Sequence, residues 1–202
     1  MLIKTRIIMS AKRIPASIKV TVLLVIMSEH ILSFMMPIIM VYMVQKLGSR
    51  SMIEVSDVQV VSFWVGILEG LNRISGFFGC IAWGAISDKI GRKKSLLIIL
   101  SGISISSLGL GLSYNLYWAL GFRIMAGFFA GTVPTLKALI RDISDDSNIS
   151  VLYSYFGTGY GAASIFGPII GGLLSNPGDS SLLIFNNSFI ESFPYFYPLV
   201  IQ

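Results

Sequence analysis

Two apolar runs, each long enough to cross a lipid bilayer, lie on either side of a short charged stretch. The runs cover residues 60–86 and 95–113, and the stretch at 84–94 contains four basic side chains and one acidic side chain. A helix that crosses the hydrocarbon core of a bilayer needs roughly 20 apolar residues. The charged stretch is therefore predicted to be a tight loop at one face of a membrane.

The composition also favours a membrane protein. Hydrophobic residues make up 54% of the 202 residues, charged residues make up 12%, and 20 residues are Gly. A soluble domain would need a more charged surface, whereas glycine lets helices pack closely in lipid. With one cysteine, Cys80, and one histidine, His30, we expect no disulfide framework, metal or other cofactor. The basic residues mostly flank apolar runs, so we expect no nucleic-acid partner.

The hydropathy pattern predicts a multi-pass bundle of transmembrane helices. A cytoplasmic tail is expected at residues 1–17 and a transmembrane region at 18–202. Complete spans are predicted at about 18–44, 60–87, 95–113, 116–140 and 151–174. A sixth apolar run covers only 194–202, which is too short for a helix to cross a bilayer. We therefore expect five complete spans and the start of a sixth.

The distribution of Lys and Arg predicts the orientation of the bundle. Five of these residues lie in or beside the tail and four lie at 84–94, with Lys137 and Arg141 near the end of the fourth span. The opposite side has only Lys46 and Arg50. Because cytoplasmic loops are enriched in Lys and Arg, we expect the N-terminus to be cytoplasmic. The sequence does not indicate which cellular membrane contains the protein.

The charged loop at 84–94 contains the first set of candidate functional residues. Asp88 and Asp142 are expected near the C-terminal ends of the second and fourth spans, where the helix dipole disfavours negative charge. Arg92 is placed to bridge both carboxylates. Gly84 would allow close helix approach, and Gly91 would permit a tight turn with positive φ. An alternative interpretation is a generic positively charged cytoplasmic loop.

Ionisable residues inside the predicted spans form the second set, because charge within a membrane is costly and usually functional. Glu29 and His30 lie near the middle of the first span, where they would exchange protons or make polar contacts in a cavity. Glu69 and Arg73 are four residues apart and are expected to pair on one helix face. Arg123, about two turns from the outer end of its span, is either functional or a structural residue that snorkels to the interface or forms a salt bridge.

Small residues at regular spacing form the third set. Gly127 and Gly131 are four residues apart in the fourth span, where they would give a smooth face for close helix contact. In the fifth span the candidate packing and hinge residues are Gly157, Gly161, Gly167, Pro168, Gly171 and Gly172. Proline removes a backbone hydrogen bond, so this helix is expected to bend. Simple packing of small residues, as in any bundle, is the alternative.

These patterns resemble motifs of the major facilitator superfamily. The loop at 84–94, including Lys93, is similar to the G-x-x-x-D-x-x-G-R-K/R loop between spans 2 and 3. The R-x-x-x-G-x-x-x-G pattern that begins at Arg123 resembles the span 4 element. The pattern A-x-x-x-G-P-x-x-G from Ala163 resembles the antiporter element of drug:proton exchangers, which begins with glycine. The chain looks like the drug:proton antiporter-like branch, especially its fungal and plant zinc-induced-facilitator-like members.

The resemblance implies a fold with twelve spans in two halves and a substrate cavity between them. This chain would be the N-terminal six-helix half. Asp88, Arg92 and Asp142 would act as a conformational latch, and Arg123 would take part in proton coupling. The implied partners are the lipid bilayer, a small-molecule substrate, protons, and either a missing C-terminal half or a second copy.

The sequence leaves two principal hypotheses for function. The first is proton-coupled antiport of small organic molecules by alternating access, with Glu29 and Arg123 carrying or modulating the proton. The second is a truncated or decayed half-transporter that moves nothing and at most associates with membrane partners. A sugar-type facilitator is less favoured because of the Gly-Pro element. An enzyme is not predicted, since no catalytic triad or phosphate-binding loop can be assembled.

Overall fold

A computed structural model describes residues 15–50, 57–145 and 148–175, and each of its elements is an α-helix. The helices are α1 Ala16–Arg50, α2 Val58–Ile90, α3 Arg92–Gly111, α4 Leu116–Phe128, α5 Thr132–Ile143 and α6 Ile149–Ser175. The predicted all-α fold class is thus confirmed. Most of the predicted tail and the apolar run at 194–202 lie outside the described residues.

Among the residues that the structure describes, three segments are long and apolar enough to cross a membrane. They are Ala16–Gly48, Arg92–Gly111 and Leu116–Ile143, and the last of these contains both α4 and α5. The chain is therefore an integral membrane protein. Helices α2 and α6 have 33 and 27 residues, and their membrane crossing remains a prediction from the sequence.

The fourth predicted span, at 116–140, is two helices rather than one. Helix α4 ends at Phe128 and α5 begins at Thr132. Pro134 has no backbone N–H, so it cannot donate the helical hydrogen bond to the Ala130 carbonyl four residues earlier. Gly131, which precedes α5, also favours an interruption because glycine is a poor residue for helix interiors. The sequence analysis missed this break.

The helices pack mainly in two pairs, α1 along α6 and α2 along α4, with α3 contacting α4 and α5. The α2–α4 pair is close enough for backbones to touch. A Cβ at Gly127 would collide with the Asn72 carbonyl oxygen, and a Cβ at Gly79 would collide with the Phe128 carbonyl oxygen. Such small-residue contacts replace the hydrophobic effect, which lipid does not supply between helices.

Helix α6 faces α1 through a row of small residues four apart. The row consists of Gly159, Ala163, Gly167 and Gly171. A Cβ at Gly167 would lie 2.7 Å from Phe34 Cβ, and a Cβ at Gly171 would lie 2.8 Å from Met35 Cγ. Pro168 also lies inside this helix.

Several predicted packing glycines do not face another described helix, so their role in packing stays a prediction. Apart from the adjoining backbone of the same helix, no described atom lies within 4 Å of the Cβ position at Gly84, Gly157, Gly161 or Gly172. In α6 the reason is rotational: two residues correspond to about 200° around a helix. Gly157 and Gly161 therefore lie on the opposite side of α6 from the row that contacts α1.

Candidate functional site

A cavity of about 430 Å³ brings together all five ionisable residues that the sequence analysis selected inside the spans. Its ionisable lining residues are Glu29, His30, Glu69, Arg73, Cys80 and Arg123. Helices α1, α2 and α4 supply these side chains. No group of three His, Cys, Asp or Glu side chains suited to a metal ion occurs within the described ranges.

Arg123 forms an ion pair with Glu69, and this pairing corrects the prediction that Glu69 pairs with Arg73. Arg123 Nη2 donates to Glu69 Oε1 across the α2–α4 interface. The Arg123 residue is 5% exposed, so solvent screens this pair weakly. Arg73 also lines the cavity, but its side chain is exposed and forms no ion pair with Glu69 in the described structure. Close contact between α2 and α4 favours the partner on the neighbouring helix.

Glu29 differs from Glu69 in forming no ion pair with any of the described residues. Its Oε2 atom is buried and has no hydrogen-bond partner among the described residues. The neighbouring His30 uses Nδ1 to donate to the Ile26 carbonyl at 3.0 Å. The His30 ring also meets the Tyr160 ring edge-on, with centroids 4.9 Å apart. The cavity thus contains one paired carboxylate and one carboxyl group with an unpartnered oxygen.

Four side chains of α2 donate hydrogen bonds to backbone carbonyls of the fourth span, and the sequence analysis selected none of them. Asn72 Nδ2 donates to the Arg123 carbonyl at 2.8 Å, and Ser75 Oγ donates to the Ile124 carbonyl at 2.6 Å. Two more bonds reach the interruption between α4 and α5. Trp83 Nε1 donates to the Phe128 carbonyl at 3.0 Å, and Cys80 Sγ donates to the Ala130 carbonyl at 3.1 Å.

The bonds from Trp83 and Cys80 supply donors for the Phe128 and Ala130 carbonyls, which the interruption of the helix leaves without a helical partner. In lipid an unsatisfied backbone carbonyl is costly, so an interrupted span needs donors from its neighbours. The signal in the sequence is the spacing of Asn72, Ser75, Cys80 and Trp83, which places them on one face of a helix. The absence of an N–H at Pro134 identifies Ala130 as the carbonyl in need of a donor.

The loop between α2 and α3 forms a second, separate candidate site. Arg92 contacts Asp88 at 2.5 Å and Asp142 at 3.0 Å, and its Nη1 donates to Ser87 Oγ at 2.6 Å. Arg92 therefore links the ends of α2, α3 and α5. Gly91, between α2 and α3, has a φ of 93°.

The Arg92 ion pairs are open to solvent. The Asp88 and Asp142 side chains are 63% and 54% exposed. Such exposed pairs contribute little to stability. Lys93 is also exposed beside this network. The arrangement fits a contact that forms and breaks more easily than a structural core contact.

The sequence profile of the Major Facilitator Superfamily matches residues 20–190. The chain belongs to this superfamily. Its members are membrane transporters, and the match includes both candidate sites. The recognition made from the loop at 84–94 and the Gly-Pro element is thereby confirmed.

Individual relatives include both efflux pumps and zinc-induced facilitators. The chain is 36% identical over 118 residues to the efflux pump azaK of Aspergillus niger, covering 58% of this chain and 25% of the relative. It is 31% identical over 141 residues to the protein ZINC INDUCED FACILITATOR-LIKE 1 of Arabidopsis thaliana, covering 64% and 30%. It is 32% identical over 117 residues to the multi-drug resistance efflux pump PmrA of Streptococcus pneumoniae, covering 58% and 29%. These alignments span about a quarter to a third of each relative.

Proposed function

We propose that this chain forms the N-terminal half of a proton-coupled antiporter for small organic molecules. The observation that carries the proposal is the difference between the two cavity carboxyl groups. Glu69 is neutralised by Arg123, whereas the Glu29 side chain has a buried oxygen without a partner. A carboxyl group without a cation beside it can gain and lose a proton without breaking an ion pair.

Glu29 is therefore the proton carrier in this proposal, and Arg123 modulates the cavity by neutralising Glu69. Protonating Glu69 would leave the Arg123 cation buried without its counter-charge, which is strongly unfavourable. Protonating Glu29 removes a charge that has no counter-ion beside it. The exposed Arg73 at the cavity is a candidate contact for an incoming molecule.

The cavity suits a small organic molecule. Its volume of about 430 Å³ falls in the range of about 300–1,000 Å³ that is usual for small-molecule sites. Its lining combines the ionisable side chains with apolar residues such as Met36, Phe77 and Ile103. Two of the relatives described above are named efflux pumps, which supports export of the substrate.

We further propose that a second six-helix unit completes the cavity within the lipid bilayer. Support comes from the relatives, whose length is three to four times that of the aligned segments. The second unit would be a C-terminal half of the same protein or a second copy of this chain. Asp88, Arg92 and Asp142 would then form the latch that engages this unit in one conformation of the transport cycle.

The test is proton-driven transport by the purified full-length protein in lipid vesicles. Ethidium is the probe. Its accumulation in the vesicles is followed by fluorescence after a pH gradient is imposed that makes the vesicle interior acidic. We expect Glu29→Gln to abolish the dependence on the gradient. Ser33→Ala, which changes an uncharged residue of the same cavity, is the matched control and should retain that dependence. Gradient-driven accumulation by Glu29→Gln at the parent rate would refute the assignment of Glu29.

A further inference from the structure

We propose that the transported molecule is amphoteric, with a carboxylate that binds Arg73 and a protonated amine that binds Glu29. This inference rests on the proposed transport function of the cavity and narrows its substrate class. A guanidinium and a carboxyl group without ion-pair partners line the same space. One molecule that carries both charges can pair with both side chains.

The first observation concerns the balance of charges around the cavity. Among the described residues its lining includes two arginines and two glutamates, which are Arg73, Arg123, Glu29 and Glu69. Arg123 and Glu69 form an ion pair with each other, so each already has a counter-charge. Arg73 and Glu29 form no ion pair within the described part of the chain. When Glu29 is ionised, one positive and one negative side chain therefore remain for a ligand.

Arg73 is placed to bind an acidic group. Its side chain is exposed on α2 and lines the cavity. Glu69 lies one turn earlier on the same helix, but it contacts Arg123 instead. A guanidinium presents its N–H groups in a planar fork that matches the two oxygens of a carboxylate. Charged side chains within a membrane are costly and usually functional, which favours a binding role for this arginine.

Glu29 is placed to bind the amine. Its side chain lines the cavity, and its Oε2 atom has no hydrogen-bond partner among the described residues. An ammonium group has three N–H donors and a positive charge, so it supplies the counter-charge that this carboxylate lacks. A bound amine and a proton on Glu29 exclude each other, because a neutral carboxyl group offers the ammonium no charge. Such competition exchanges a substrate for a proton, as antiport requires.

The rest of the cavity suits the apolar part of such a molecule. Its apolar lining comes from four helices and includes Met36, Phe77, Ile103 and Val133. The Phe77 ring is exposed, so it can pack against an aromatic ring of the ligand. The remaining titratable lining groups, His30 and Cys80, already contact backbone carbonyls of Ile26 and Ala130.

Binding of three related indoles to the purified full-length protein in lipid nanodiscs tests the proposal. Tryptophan carries an amine and a carboxylate, tryptamine carries only the amine, and indole-3-propionate carries only the carboxylate. Isothermal titration calorimetry at neutral pH measures their dissociation constants without a pH gradient. A hydrogen bond to a charged group is worth about tenfold in affinity. We therefore expect tryptophan to bind about tenfold more tightly than either of the other probes.

Two variants assign the two contacts. Arg73→Gln should weaken the binding of tryptophan and indole-3-propionate by about tenfold, because both probes carry the carboxylate. Glu29→Gln should weaken the binding of tryptophan and tryptamine by a similar factor, because both carry the amine. Arg141→Gln is the matched control, since it removes an exposed arginine that is not among the cavity-lining residues. It should leave all three dissociation constants unchanged.

Absence of tryptophan binding, or binding no tighter than that of tryptamine, would overturn the inference. Equal weakening of tryptophan and tryptamine by Arg73→Gln would also overturn it, and would assign Arg73 to a contact with the second six-helix unit. These outcomes would leave the proposed proton coupling in place, because they concern binding at equilibrium. Gradient-driven ethidium accumulation by Glu29→Gln at the parent rate would instead refute the coupling role, whatever the indoles bind.

Discussion

At the scale of single residues, Arg123 and Glu69 are an unequal pair. Arginine stays protonated inside a protein, whereas a carboxyl group can become neutral by binding a proton. Arg123 is 5% exposed, so it depends on the negative charge of Glu69. A carboxyl group that loses its cationic partner can become neutral, whereas a buried guanidinium cannot. Removing either partner should therefore have different consequences.

We expect Glu69→Gln to lower the free energy of unfolding by about 3–5 kcal/mol, since it leaves a buried cation unpaired. Arg123→Gln should cost less, because Glu69 can then bind a proton. The double variant should recover most of the stability lost in Glu69→Gln. Unfolding titrations in mixed micelles measure all three variants. Equal losses in the two single variants would contradict this account of the pair.

At the scale of secondary-structure elements, contact between α2 and α4 depends on positions without side chains. Gly127 faces the Asn72 carbonyl oxygen, which is backbone and cannot rotate away. Gly121, in the same helix, has no described atom within 4 Å of its Cβ position apart from the adjoining helix backbone. The two glycines therefore allow a matched comparison within one helix.

Gly127→Ala is expected to destabilise the protein by about 1–3 kcal/mol, because overpacking forces the backbones apart. Gly121→Ala should be neutral or slightly stabilising, since alanine favours a helix over glycine. Heating each variant and measuring the remaining monodisperse protein by fluorescence-detected size-exclusion chromatography tests the pair. If the monodisperse protein disappeared at the same temperature in both variants, the contact of Gly127 with Asn72 would not contribute to stability.

The loop network is an element-scale contact of another kind. Because Asp88 and Asp142 are mostly exposed, solvent screens their attraction to Arg92. We expect Asp142→Asn to leave the unfolding titration unchanged but to slow ethidium transport in vesicles. Asp145→Asn, which changes another exposed carboxylate just beyond α5, is the control and should transport normally. A large loss of stability in Asp142→Asn would show a structural role instead of a latch.

At the scale of the whole molecule, the distribution of basic residues predicts a cytoplasmic N-terminus. Cys80 is the one cysteine in the sequence, and serine can keep its hydrogen bond to the Ala130 carbonyl. In a Cys80→Ser background, Lys93→Cys is expected to react with a membrane-impermeant maleimide only when the cytoplasmic side is accessible. Tyr114→Cys should react from the opposite side. The reverse labelling pattern would invert the predicted orientation.

Much of the fold could be predicted because apolar length and turn chemistry are local properties. The spans at 60–87 and 95–113 depend on runs of apolar residues, and Gly91 provides the positive φ between them. The interruption after Phe128 could also have been predicted from local sequence, because Pro134 and Gly131 both disfavour a continuous helix. The face of α6 that contacts α1 could not be predicted in this way, because the glycines of α6 occur on more than one side of the helix.

By itself, the sequence determined that the chain forms apolar membrane helices, where the charged loop lies, and which family motifs it contains. The tertiary structure decided which charges meet. Glu69 could pair with Arg73 along its own helix or with Arg123 across a helix interface. Sequence spacing favoured the pair with Arg73. Close approach at Gly79 and Gly127 brings α4 against α2, so Arg123 becomes the partner. Pairing within a helix follows local periodicity, whereas pairing between helices depends on how their backbones pack.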